Sequence, residues 1–248
     1  MTRRIPTAHK YYSIFKYLCE KGPASLSTIT DYLILKYGMR YSTARPAVTR
    51  LYKILTEYGL VEDVGTDKRG SRIIDLTPKA LSILITTIST YGASYFGFDP
   101  EIIKPAIKRL CPELLEKFND YAKIVKEADK YRKGEKGDPY TRFVNEFFGY
   151  VVPLEEDFSG KRKYSCKDVE QAIDTAIKDI IDTLDREVKK DFEKAIAAIM
   201  SLDLRKETRE ILLKEINELL KKKAKEIREL RRRINILKRI LKTSCSKI

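Results

Sequence analysis

One histidine, His9, and four cysteines, Cys19, Cys111, Cys166 and Cys245, are the obvious reactive side chains in this 248-residue chain. A single imidazole excludes multi-histidine metal sites and two-histidine nucleases, and any serine–histidine or cysteine–histidine scheme would have to rest on His9. His9 stands at the very start of the first predicted helix. The cysteines form no CxxC pair and no regular spacing, so neither a zinc site nor a disulfide framework is expected. Gly65 to Gly70, followed by Ser71, has the glycine spacing of a phosphate loop. It lacks the lysine after the second glycine and joins two predicted strands instead of opening a helix. No paired carboxylates stand at catalytic spacing either. The expectation is a protein that is not an enzyme, with no cofactor, no metal and no catalytic residue.

What remains is electrostatic. Lysine and arginine number 50 against 36 acidic residues, a formal charge of +14. Residues 1–80 hold 14 basic and 7 acidic side chains, residues 81–160 hold 11 and 13, and residues 161–248 hold 25 and 16. Residues 221–248 alone hold 12 basic and 2 acidic. Two basic ends around a neutral centre suggest two modules with polyanionic partners.

The elements that would position the N-terminal charges can be read from periodicity. Tyr11, Ile14, Phe15 and Leu18 make Ala8 to Lys21 an amphipathic helix stopped by Gly22-Pro23. Ser25 or Ser27 caps a second helix, with Ile29, Tyr32, Leu33 and Leu35 packing inward up to Gly38. Ser42 is the expected cap of a third helix, Thr43 to Tyr58, with Pro46 in its first turn. Ala44, Val48, Leu51 and Leu55 form its buried stripe. Leu60 to Val64 and Arg72 to Leu76 read as strands around the Gly65–Gly70 turn, and Thr77-Pro78 starts a further helix.

The stretch TARPAVTRLYKILTEYGLVEDVGTDKRGSRIIDLTPKA, Thr43 to Ala80, resembles the recognition helix, wing and helix restart of winged helix-turn-helix regulators of the MarR and PadR kind. The resemblance covers the first third of the chain, and Pro46 inside the third helix departs from it. It implies double-stranded DNA as the partner. An α-helix fits the major groove, and its N-terminal side chains reach base edges. Those are Ser42, Thr43, Arg45 and Thr49, with Arg50 and Lys53 placed for phosphates. Lys68 and Arg69 at the wing tip, and Arg72 on the returning strand, face backbone or minor groove. Arg3 and Arg4 form an arm for a minor groove.

Ala80 to Phe98 is free of charge for 19 residues, but six are Ser or Thr and two are Gly. That is too polar for a membrane span and reads as a buried or dimer-facing helix. Pro100–Leu110, Pro112–Lys133 and Arg142–Tyr150 read as helices, the last grouping Phe143, Phe147 and Phe148. Lys167 to Met200 is helical, with an apolar stripe from Val169 to Ile199. After Ser201-Leu-Asp-Leu, a turn or a bend, Leu213, Ile216, Leu220, Lys223, Ile227, Leu230, Ile234, Leu237 and Leu241 follow strict heptad spacing. The last two helices either fold on each other, acidic against basic, or pair with a second copy.

The fold expected is mainly α. It comprises a winged helix-turn-helix with its following helix (1–98), a helical middle region (99–160), and a long helical hairpin or coiled coil (161–248). Met1-Thr-Arg-Arg-Ile-Pro is not followed by a long apolar core, so no signal peptide is expected. One Gln and four Asn beside abundant Lys, Glu and Ile resemble a thermophile's composition. The function expected is a cytoplasmic, nucleoid-associated homodimer that binds specific DNA sequences and regulates transcription. The alternative is a protein that organises, partitions or initiates replication of DNA, using the basic coil as a second contact.

Overall fold

The residues spaced by three and four near the N-terminus become the buried face of α1 (Thr7–Lys21) in the computed structural model, which describes residues 7–129, 138–151, 163–201 and 206–245. Arg3 and Arg4 lie outside them. Gly22 turns the chain at a positive φ of 85°, and Ala24–Ser25 form a two-residue strand, β1. Ser25 caps α2 (Leu26–Tyr37), its side chain accepting the Thr28 N–H. Gly38 ends that helix in the left-handed region at φ 63°, donating its N–H to the Ile34 carbonyl, a conformation that costs glycine little. Leu35 points to solvent instead of inward, 86% exposed.

α3 runs Tyr41–Glu57 and begins two residues earlier than expected. Its N-cap is Arg40, in extended conformation and without a side-chain capping bond, so Ser42 is helical and not the cap. Pro46 is therefore the sixth helical residue and not in the first turn, where it removes the N–H that the Ser42 carbonyl would accept. The stripe Ala44, Val48, Leu51 and Leu55 is buried as expected. β2 (Val61–Thr66) and β3 (Arg72–Leu76) form an antiparallel hairpin, with β1 on the other side of β3 in the order β1-β3-β2. A bulge at Val64 shifts the register between Asp63 and Gly65.

Thr77 caps α4 (Pro78–Tyr91), accepting the Ala80 N–H. This helix is buried on nearly every side, Leu81, Leu84, Ile85, Thr87 and Ile88 fully so. Its own chain covers it, which removes it as the dimer face. α5 (Ala93–Phe96), α6 (Pro100–Leu110), a single 3-10 turn (Pro112–Leu114), α7 (Leu115–Asp129) and α8 (Pro139–Val151) follow. The helix expected from Pro112 thus opens with a tighter turn, and residues 130–133 lie outside the described residues. α6 and α8 pack on α1. Phe143 stacks on Phe98 at 5.4 Å and on Phe147 at 5.2 Å, beside Phe15. The middle region therefore shares a core with the N-terminal helices. The Phe148 side chain is outside the described residues.

Packing divides the chain into residues 1–177 and 178–248, a boundary within α9 (Cys166–Ser201). In the first unit, α9 buries Val169, Ile173, Ala176 and Ile177. Cys166 is joined to Cys111 by a disulfide, with Cα atoms 5.6 Å apart. This corrects the expectation of unpaired cysteines, since the partners are 55 residues apart and no local spacing marks them. Lys117 reaches across from α7 to Glu170 and Asp174, both at 2.8 Å.

The second unit holds the rest of α9 and α10 (Lys206–Cys245). Residues 202–205, where a turn or bend was expected, lie outside the described residues. On α9 the stripe residues Leu184, Val188, Phe192, Ala195 and Ile199 are half-buried. On α10 the seam residues Leu213, Ile216, Leu220 and Lys223 are half-buried and Ile227 is buried. Lys189 and Lys194 pair with Asp185 and Asp191 on their own helix, and Lys223 and Arg232 with Glu226 and Glu229 on theirs. Among the described residues no helix is long and apolar enough to cross a membrane.

Candidate nucleic-acid interface

Burying Ala44, Val48, Leu51 and Leu55 fixes the rotation of α3 about its axis. The same rotation leaves Ser42, Thr43, Arg45, Thr49, Arg50 and Lys53 exposed together on the outer side. Arg45 donates from Nη1 to the Tyr41 hydroxyl at 2.7 Å, and its guanidinium lies 6.0 Å from the Tyr41 ring centroid. The guanidinium is thereby held against the first turn, with four other N–H donors to offer a planar acceptor pair. Thr49 donates its hydroxyl to the Arg45 carbonyl at 3.1 Å, which leaves its oxygen as an acceptor.

The hairpin stands beside this face and is tied to both α2 and α3. At its tip, Asp67 Oδ1 accepts the Arg69 and Ser71 backbone N–H groups at 2.9 and 2.8 Å. Its Oδ2 accepts the Ser27 hydroxyl at 3.0 Å, and the Ser27 N–H donates to Ser71 Oγ at 3.2 Å. These bonds pin the turn to the start of α2. They also hold the Asp67 carboxyl below the usual carboxylate range, the Ser71 N–H contributing most and partial desolvation opposing. Gly70 supplies the left-handed turn residue at φ 73°. Just inside the turn, Arg72 donates to the Tyr52 hydroxyl at 2.7 Å and to Asp63 Oδ2 at 3.0 Å, while the Tyr52 hydroxyl donates to Asp63 at 2.9 Å. That triad links β2 and β3 to α3.

A cavity of about 650 Å³ opens between the start of α2, the outer side of α3 and the hairpin, lined in part by Ser27, Arg45, Lys53, Ser71 and Arg72. Lys68 and Arg69 are exposed at the tip beyond it. Of the residues expected to touch DNA, then, those of α3 share one exposed side, and Lys68 and Arg69 lead the hairpin. Arg72 differs in kind, because Asp63 already neutralises it and Tyr52 orients it.

No family model matches the chain, and no curated protein or solved structure matches it either.

The positioning roles of Ser27 (a candidate cap of α2 by sequence), Tyr52, Asp63, Asp67 and Ser71 are not legible in the sequence. Asp67 alone carried a local signal, because aspartate two residues before a backbone N–H favours such turns. A further pair steadies β3 from behind. Asp75, only 3% exposed, accepts from Arg109 Nε at 2.9 Å and Nη2 at 2.7 Å, and its Oδ1 also accepts the Leu76 N–H. Arg109 Nη2 donates as well to the Leu18 carbonyl at 3.2 Å. The guanidinium crosses directly above Gly22, where a Cβ would stand 3.3 Å from Nη1. His9 lies 3.3 Å from Asp138 and 4.2 Å from the Tyr140 ring, joining α1 to the start of α8.

Proposed function

We propose that the chain is a dimeric, sequence-specific binder of double-stranded DNA that regulates transcription, with α1–α3 and the β2–β3 hairpin acting as a winged helix-turn-helix. The observation that carries the reading is the exposed side of α3. Ser42, Thr43, Arg45, Thr49, Arg50 and Lys53 lie together there, opposite the buried stripe and next to Lys68 and Arg69 on a fastened hairpin. In this reading α3 enters the major groove. Arg45 takes the O6 and N7 edge of a guanine, a contact worth about 1–3 kcal/mol of discrimination. Lys53, Lys68 and Arg69 hold phosphates, which sets register without reading sequence. Arg72 acts by orienting the hairpin.

Selection of bound duplexes from a random library tests the reading. A two-fold symmetric site supports a dimer that reads sequence, and loss of preference at one position in Arg45→Ala places that side chain. Binding by Arg45→Ala and Arg69→Ala unchanged from the wild type would end the proposal. The alternative, a protein that organises, partitions or initiates replication of DNA, draws its support from the charge on α10. It requires binding that ignores sequence.

A further inference from the structure

α10 is one continuous helix of 40 residues, and its charge is neither uniform nor alternating. Residues 206–220 hold 3 basic and 4 acidic side chains, whereas residues 221–245 hold 11 and 2. The seam of apolar residues runs along one side. On the far side stand Lys221, Lys225, Arg228 and Arg232, spaced by four, three and four, all of them exposed. Positions 235, 239 and 242 continue the same register with Asn, Arg and Lys. At 1.5 Å per residue the stripe is about 31 Å long.

A solvated helix face usually alternates sign, so that glutamates four residues from lysines neutralise it. This stripe does not. Lys221 and Lys225 form no ion pair among the described residues, Arg228 Nε is 3.2 Å from its own helix's Ala224 carbonyl, and Arg232 alone has a carboxylate near it, Glu229 at 3.4 Å. Cations at i and i+4 lie within a Debye length of about 8 Å and repel one another. That repulsion is relieved by a partner with its own closely spaced charge. Duplex DNA carries one phosphate charge per about 1.7 Å of axis, and neutralising it releases condensed counterions. A rod of about 31 Å runs along roughly nine base pairs.

We infer that the stripe Lys221, Lys225, Arg228 and Arg232, continued by Arg239 and Lys242, is a second DNA contact. It grips the phosphate backbone of a duplex without reading its sequence. It names the residues of the second contact that the alternative reading invokes, and it does not rest on the α3 reading. Both surfaces belong to one chain, so binding at one raises the effective concentration of DNA at the other.

The test uses the full chain, a labelled duplex of scrambled sequence about 30 base pairs long, and anisotropy titrations from about 50 to 300 mM KCl. The variant K221Q/K225Q/R228Q/R232Q keeps good helix formers while removing four charges. Its slope of log affinity against log salt should become shallower by about 3.6, four contacts at about 0.9 each. The charge-keeping variant K221R/K225R/R228K/R232K should retain the wild-type slope. Should circular dichroism show that the glutamine variant has lost helix, K225Q alone should still lower the slope by about 0.9. An unchanged slope in the glutamine variants overturns the proposal. So does loss of slope in the charge-keeping variant, or a change seen with an RNA duplex and not with DNA. R45A/R69A serves as the separate control for α3, because it should abolish sequence preference while leaving the contribution of the stripe in place.

Discussion

Removing Arg109 should cost far more than removing the charge on Asp75, and the two residues should be strongly coupled. The asymmetry follows from exposure: the Asp75 side chain is 5% exposed and that of Arg109 26%. Arg109→Met leaves a carboxylate buried with only the Leu76 N–H to satisfy it, and breaking a buried pair in this way costs about 3–5 kcal/mol. Asp75→Asn keeps the shape and one acceptor, and the guanidinium retains the Leu18 carbonyl and some solvent. Its cost is about 1–3 kcal/mol. Because the two groups share two hydrogen bonds, the double variant should be more stable than the sum predicts, with a coupling energy above about 1 kcal/mol. Urea unfolding of the wild type, both single variants and the double variant closes the cycle. Equal single costs that add within about 0.5 kcal/mol would refute the reasoning and mean that the pair is solvated.

Four other outcomes are expected. The Cys111–Cys166 bond spans 55 residues, so in the chain-entropy account Cys111→Ser/Cys166→Ser should lose about 4 kcal/mol of stability. Thiol labelling of the native protein should leave Cys19 unmodified until unfolding, because complete burial pushes its thiol pKa up. The Asp67 carboxyl is held below its ordinary value of 3.8, so the tie between hairpin and α2 is fully present above that value and is lost as pH falls through the lowered one. Protection of the Arg69 and Ser71 amides, measured against their intrinsic exchange rates, should fall only once pH drops below that lowered value, and should already be lost at neutral pH in Asp67→Ala. On α3, Leu51→Ala should cost about 2–5 kcal/mol, whereas Thr49→Ala on the exposed side should change stability by no more than about 0.5 kcal/mol. Thermal denaturation separates the two.

Local signals carried much of the fold. The four-residue stripe of α3 follows helical periodicity alone, Thr77 caps α4 where a threonine before proline should, and the Gly65–Gly70 turn joins two strands. On α9 the stripe is buried at Val169, Ile173, Ile177 and Ile180, and on α10 the seam is half-buried or buried from Leu213 to Ile227, while the side chains of Leu230, Ile234, Leu237 and Leu241 lie outside the described residues. What could not be read depends on partners distant in sequence. Nothing near Asp75 announces Arg109, nothing near Ser27 announces Asp67, and Cys111 meets Cys166 only because α9 packs in the first unit. Ser42 failed as a cap for a subtler reason: Arg40 takes the extended conformation that a cap needs, without a capping side chain, and the helix begins at once. The candidate site shows the same division. Its exposed charges were legible from position on a helix or a turn, while Tyr52, Asp63 and Ser71, which hold them in place, were not.

The sheet has a consequence for how copies of this protein meet. An unpaired strand edge is an open template for another chain, and β3 would be one if the hairpin stood alone. Ala24 and Ser25 close it with two residues, a strip too short to recruit a further strand. The opposite edge, β2, is interrupted by the bulge at Val64 and carries Glu62 and Asp63 exposed along it. A short pairing on one border, and a bulge with exposed acidic residues on the other, disfavour strand addition. A second copy is therefore expected to dock on helix and not to extend the sheet.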